Sequence, residues 1–164
     1  MTRLEARPAI SRPLFTGLYQ LGFVVRDLDR AMDNLGRRFG VTRYREQRGA
    51  DRPTETAHAY AGEIMLELLK LNAGAHPVYL DFVPDSPDGA RLHHQGYRVP
   101  TAARWEDIGR LVAANGWDVP MSGVVRNGGL SYIYVDTRAD LGIYSEFVFL
   151  QGEGLSVYDD VPHN

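Results

Sequence analysis

The chain has 164 residues, 44% of them hydrophobic and 24% charged, with a formal net charge of −3. That length holds one domain or two small fused modules, and these fractions exclude global disorder. No run approaches the ~18 apolar residues of a membrane span, and the absence of cysteine excludes disulfide scaffolds, thiolate metal sites and cysteine nucleophiles.

Residues 1–17 read as an N-terminal arm. They carry three arginines and no apolar core, so no secretory signal is expected and a cytoplasmic location fits. Residues 18–72 read as a first module. Its opening strand contains Gln20-Leu-Gly-Phe-Val-Val25, rich in β-branched and aromatic residues. Leu28, Ala31, Met32, Leu35 and Phe39 then recur at helical spacing, with Asp27 as N-cap and Gly40 as the closing residue. Strands follow at about 41–48 and 54–61, and Ala61-Gly62-Glu63 turns into a last strand from Ile64. Arg37, Arg38, Arg43, Arg45 and Arg48, interrupted by Glu46, read as a solvated surface.

Residues 73–90, with Pro77, Pro84, Pro87 and Gly89, read as a linker. The second module, residues 91–150, opens on His94-Gln-Gly-Tyr-Arg-Val99. Its helix carries Trp105, Ile108, Leu111 and Val112 on one stripe between Thr101 and Gly116. Strands at about 117–125 and 129–136 flank Asn127-Gly128-Gly129, a hairpin signal, and the last strand begins near Ile143. Residues 151–164 form a tail. Leu14 and Phe15 in the arm, and Leu155, Val157 and Tyr158 in the tail, are apolar groups in need of a surface.

The two modules repeat one another. At an offset of 74, Gly22 matches Gly96, Phe23 matches Tyr97 and Val25 matches Val99; at 79, Glu67 matches Glu146 within apolar strands. The pattern predicts an α+β fold of two βαβββ modules. Gln20 and His94 open the first strands, while Glu67 and Glu146 interrupt the last ones. A carboxylate in such a strand is costly unless exposed, paired or bound to a cation. If the modules pack as related units, the four converge as three oxygens and one nitrogen. That set suits Zn, Ni, Co, Mn, Fe(II) or Mg, with positions left for water or substrate. Tyr60, Tyr132, Tyr134 and Tyr144 are candidates for lining a substrate pocket, including one for an aromatic ligand. His58 and His76 have no spacing partner and read as surface or rim residues; His163 lies in the tail. Gly22, Gly96 and Gly142 read as responses to crowding in a curved sheet. There is no Walker or Rossmann glycine pattern, and the mild acidity argues against a nucleic-acid partner.

These segments resemble the vicinal oxygen chelate superfamily (glyoxalase, bleomycin resistance and dioxygenase proteins). Gln20-Leu-Gly-Phe-Val-Val-Arg-Asp-Leu-Asp-Arg-Ala-Met32 is similar to the opening strand and helix of many members, and His93-His94-Gln-Gly-Tyr-Arg-Val99 resembles the opening of the second module. The resemblance implies a cup-shaped mixed β-sheet around a divalent metal held by Gln20, Glu67, His94 and Glu146, a ligand pattern nearest glyoxalase I. Alignment with Gln20 makes His94 the ligand and sets His93 on the opposite face. The resemblance further implies a lyase or isomerase acting on a small carbonyl compound through an enediolate-type intermediate, with Glu146 first and Glu67 second as the base. A metal-free sequestering protein and an Fe(II) ring-cleaving dioxygenase are the alternatives. A symmetric homodimer is expected, the alternative being that the arms fold back on their own cup.

Overall fold

The computed structural model describes Ile10 and residues 12–164; most of the expected arm over 1–17 lies outside the described residues. Strand β1 (Leu18–Val25) leads to helix α1 (Leu28–Phe39), then β2 (Arg45–Gln47), β3 (Thr54–Ala61) and β4 (Ile64–Leu71). A 3-10 helix at Pro77–Phe82 precedes β5 (Ala90–Val99), α2 (Ala102–Asn115), β6 (Met121–Val125), β7 (Leu130–Val135), a short α3 (Arg138–Leu141) and β8 (Tyr144–Leu150). Local chemistry sets the helix ends. Asp27 and Thr101 accept from Arg30 N and Arg104 N, and Gly40 and Gly116 close α1 and α2 in the left-handed conformation.

The fold is α+β, two βαβββ modules in one eight-stranded sheet of order β2-β3-β4-β1-β5-β8-β7-β6. Within each module the first and last strands pair in parallel, β1 with β4 and β5 with β8. The modules join through the antiparallel pair β1–β5, so Gly22 faces His94 and Gln20 faces Gly96. The sheet curls far enough that Arg45 and Gln47 on one edge strand line the same cavity as Val125 on the other.

Alternation divides the apolar side chains between two faces. On the convex side, α1 buries Leu28 and Ala31 against Val25, Ala57 and Leu68, and α2 buries Ile108 against Tyr97, Val99 and Phe147. Phe15 of the arm stacks on Tyr97 at 5.2 Å. On the concave side two apolar clusters lie at opposite ends. One gathers Val24, Leu69, Tyr134 and Tyr144 around Val78, Tyr79 and Phe82. The other gathers Tyr19, Met65, Val148 and Leu150 around Val161 and Tyr158.

These clusters show what the linker and the tail do. The segment read as a plain linker contains the 3-10 helix, and its buried Val78, Tyr79 and Phe82 stop one end of the cup. The tail folds back over the other end of its own cup. Tyr60 N donates to Pro162 O, His163 stacks on Tyr60 at 4.4 Å, and Asn164 Oδ1 accepts from Thr42 N and Arg43 N. Gly142 is also not a crowding glycine: it ends α3 at φ 75° with nothing near its would-be Cβ.

Candidate metal and substrate site

Two rows of paired residues cross the concave face. In the first, His58 on β3 is opposite Glu67, Glu67 is beside Gly22, and Gly22 is beside His94. In the second, Gln20 is beside Gly96, Gly96 beside Glu146, and Glu146 opposite Tyr134 on β7. The glycines make room for their neighbours. A Cβ on Gly22 would lie 1.8 Å from the His94 ring, and one on Gly96 would lie 2.9 Å from Gln20 Cβ and 3.3 Å from Glu146 Oε2. Crowding therefore explains both glycines.

The four polar side chains meet around His94 Nε2. Glu67 Oε2 and Gln20 Nε2 are each 3.3 Å from it, Glu146 Oε2 is 3.5 Å away and the Tyr134 hydroxyl 3.5 Å. Gln20 Nε2 donates to Glu67 Oε2 at 2.6 Å, and His58 Nε2 donates to Glu67 Oε1 at 3.2 Å. Gln20, His94 and Glu146 are buried, His94 completely. His58, read as a surface or rim residue, is buried too and is a member of the site. The signal was present in the sequence: a tight β3–β4 turn at Gly62-Glu63 pairs Ala61 with Ile64, which carries His58 opposite Glu67.

His93 corrects a second reading. Simple alternation sends it to the opposite face from His94, yet both rings lie inside. Gly22 pairs with His94 while Phe23 pairs with Leu92, so His93 is the extra residue of a β-bulge. Tyr19 is the corresponding extra residue on β1, between Leu18 opposite Tyr97 and Gln20 opposite Gly96. The His93 bulge has a chemical consequence. His93 Nε2 lies 3.0 Å from the Val78 carbonyl, which only accepts, so this nitrogen carries the proton. Burial first, then the His94 charge, lowers His93 to about 3, and the ring is neutral. Its Nδ1 therefore accepts from His94 Nδ1 at 2.9 Å. His94 is left with Nε2 as its titrating nitrogen, aimed at the carboxylates.

The two glutamates have different environments. Burial opposes the Glu67 charge, but hydrogen bonds from His58 and His94 hold this carboxyl well below the usual range. Burial pushes Glu146 up to about 7 against the lowering pull of His94, with the Glu67 charge adding to the rise. Burial also opposes a charged His94, yet the Glu67 hydrogen bond and the Glu146 charge raise it.

Among the described residues, no three His, Asp or Glu side chains are preset as a metal cage; the four donors lie within hydrogen-bond reach of one another instead. They nevertheless fit a divalent ion in chemistry. Gln20 Oε1 and Glu146 Oε2 are buried oxygens with no hydrogen-bond partner, two carboxylates balance a double charge, and His94 presents one nitrogen.

The tyrosines separate. Tyr134 belongs to the cluster; Tyr144 is buried at the 3-10 helix end beside Phe82 and His93; Tyr132 is half-buried and meets Tyr134 edge-on at 6.0 Å. Tyr60 does not join them. It stacks on His163 and packs near Met65, where it closes the cup at the tail end. A cavity of about 470 Å³ reaches Glu67 and His58 from solvent, past Arg45, Arg52, Arg126 and Tyr158. Arg45 thus departs from its reading as a solvated surface residue: its side chain is 14% exposed and donates to Val157 O and Asp160. A larger groove of about 1020 Å³ lies between α1 and the tail and touches none of the four clustered residues.

Residues 19–134 match the family described as Glyoxalase/Bleomycin resistance protein/Dioxygenase superfamily. No curated protein matches the chain in sequence. Among solved structures, methylmalonyl-CoA epimerase from Mycobacterium tuberculosis superposes with TM-score 0.61 at 17% identity, over 92% of this chain and 99% of that one. A hypothetical protein from Bacillus halodurans C-125 gives 0.57 at 18% identity over 83% and 95%. A variant of Streptomyces coelicolor methylmalonyl-CoA epimerase in complex with 2-nitronate-propionyl-CoA gives 0.58 at 16% identity over 84% and 99%. At these identities the likeness is one of fold. Among the described residues, no helix is long and apolar enough to cross a membrane.

Proposed function

The chain belongs to the glyoxalase/bleomycin resistance/dioxygenase superfamily, and from that premise we propose that it is a divalent-metal-dependent isomerase or lyase that moves a proton on the carbon next to a carbonyl group. One observation carries the reading: Gln20, Glu67, His94 and Glu146, from both modules, meet around His94 Nε2 in a buried cup. These four would hold the ion. When bound, it supplies a Lewis acid for negative charge developing on the carbonyl oxygen.

Glu67 is held as an anion by His58, His94 and Gln20, so its role is electrostatic. Glu146 has an unpartnered buried oxygen, and it is the carboxylate that takes the proton from carbon and returns it. The His93–His94 bond keeps the imidazole oriented, and the apolar clusters at both ends of the cup keep bulk water out. The epimerase activity of the structural neighbours is of this isomerase type and supports the reaction class.

The test has two parts. Wild type and His94→Ala are loaded with Zn, Ni, Co, Mn and Fe(II), and metal content is measured by plasma emission spectroscopy; wild type retains an ion and the variant loses most of it. Incorporation of solvent deuterium is then followed by NMR in methylmalonyl-CoA and in small 2-oxo and 2-hydroxy carbonyl compounds. Glu146→Gln slows exchange about a hundredfold or more. A second reading, metal-free sequestration of a small molecule, draws on the contacts that Gln20, Glu67 and His94 already make with one another. Equal metal content in wild type and His94→Ala, with no exchange, selects it.

A further inference from the structure

The cavity leading to Glu67 is built for more than access. Three of its lining residues bury a polar atom that has no partner: Arg45 Nε, Thr56 Oγ1 and His58 Nδ1. These come from adjacent strands, and two of them, the guanidinium N–H and the hydroxyl, are donors. His58 lies behind them, its Nε2 spent on Glu67. Arg52 and Arg126 line the same opening, and neither forms an ion pair among the described residues; the Arg52 side chain donates to Gln47 Oε1, at 3.1 Å.

The local charge balance is positive. Asp160 is the acid at the rim, and Arg45 already engages it at 2.5 Å. Glu67, at the inner end, is matched by His94. Arg52 and Arg126 therefore have no carboxylate in ion-pair contact among the described residues, although Arg126 adds to the pull that holds Asp160 low. A buried donor without an acceptor costs about 1–3 kcal/mol, and several in one concavity are resolved together by one multivalent acceptor. Guanidinium groups suit planar or tetrahedral oxyanions, which they engage through paired N–H bonds.

We infer that this opening is an anion subsite, in which Arg45, Arg52, Arg126 and Thr56 grip a carboxylate or phosphate of the substrate while its reacting carbon lies inward beside Glu146. The inference rests on the proton-transfer reading and adds to it the substrate class: an anionic carbonyl compound. The oxyanion belongs either to a small acid, as a carboxylate next to the reacting carbon, or to a phosphorylated carrier.

Isothermal titration calorimetry on the full chain, freed of metal by EDTA and then dialysed, uses malonate, inorganic phosphate and adenosine 3′,5′-bisphosphate as probes. Removing the metal keeps malonate from reporting on a bound ion. The site predicts binding that weakens with added salt and weakens at least about tenfold in Arg52→Gln/Arg126→Gln, because each lost charge-assisted bond accounts for roughly that factor. Arg110→Gln, which alters an exposed arginine of α2 paired with Asp107, leaves binding unchanged. Malonate as the preferred probe assigns the oxyanion to a small acid; preference for the bisphosphate assigns it to a carrier. No binding of any probe at millimolar concentration, or equal affinity in wild type and double variant, overturns the subsite. Metal content of the double variant, measured alongside, stays at the wild-type level. Probe binding by wild type that the double variant loses, in a chain that never takes up metal, retires the proton-transfer reading and leaves the subsite standing.

Discussion

The Nδ1–Nδ1 contact between His93 and His94 decides which nitrogen faces the cluster. Removing the acceptor frees the His94 ring to turn or to change tautomer. In His93→Leu, affinity for Zn or Ni is expected to fall about ten- to a hundredfold, the usual scale for losing a partner behind a metal-binding histidine. Competition with a chromophoric chelator reads the affinity, and nitrogen-15 shifts of His94 read the tautomer. Unchanged affinity with an unchanged His94 tautomer removes His93 from this role. Glu146 yields a prediction of opposite kind. Burial raises it to about 7 from an ordinary 4.5, so the folded metal-free chain binds this proton more tightly than the unfolded chain. Its contribution is full below pH 4.5 and lost as pH rises through 7. The size is on the order of 3 kcal/mol. His94, also raised, loses its own contribution as pH rises through its folded value, so the comparison must isolate Glu146. Urea unfolding of metal-free wild type and Glu146→Gln across that interval shows the variant gaining on wild type as pH rises. Parallel curves contradict it.

Strand pairing sets what each glycine does. The β4–β1–β5 row places Gly22 directly beneath the His94 ring, and the β1–β5–β8 row places Gly96 beside Gln20 and Glu146. A methyl group at 22 meets a ring at 1.8 Å, whereas one at 96 meets the Gln20 Cβ at 2.9 Å. Gly22→Ala must therefore displace the imidazole itself. We expect Gly22→Ala to lower unfolding stability by about 1–3 kcal/mol, the range for overpacking, and to weaken metal binding more than Gly96→Ala does. Calorimetric melting with parallel metal titrations ranks the two. A Gly22→Ala chain with wild-type metal affinity shows that the row is looser than the pairing implies.

For the whole molecule, both modules and the tail of one chain complete the cup, and all four clustered residues come from that chain. The apolar tail groups in need of a surface are partly accounted for: Val157 and Tyr158 pack at the cup's end, whereas Leu155 is 65% exposed. The β6 edge also carries Val124, 67% exposed, and an apolar unpaired edge is a ready surface for a second copy. A symmetric homodimer remains the proposal for assembly. Sedimentation equilibrium at micromolar concentration is expected to give twice the chain mass; a single-chain mass that does not rise with concentration makes the tail an intrachain cover alone. Because the site is complete in one chain, turnover per chain should not change across the association range.

The sequence by itself determined what depends on neighbours along the chain. Helix caps at Asp27, Gly40, Thr101 and Gly116, the Asn127-Gly128 hairpin and the repeat itself are local signals, written in residues a few positions apart. Gln20, Glu67, His94 and Glu146 were legible for the same reason: an internal repeat turns one polar residue in an apolar strand into a pair of equivalent positions. Only the tertiary structure decided the rest. Period-two alternation holds while strands pair one residue to one, and the bulges at Tyr19 and His93 break it through pairing between modules. Arg45 and Arg126 lie 81 positions apart and meet because the sheet curls until its edges face one opening. Val78, Tyr79 and Phe82 look like linker residues until the cup exists for them to fill. Burial and charge compensation are properties of the assembled surface, and for these residues the chain becomes informative only after long-range pairing has set their surroundings.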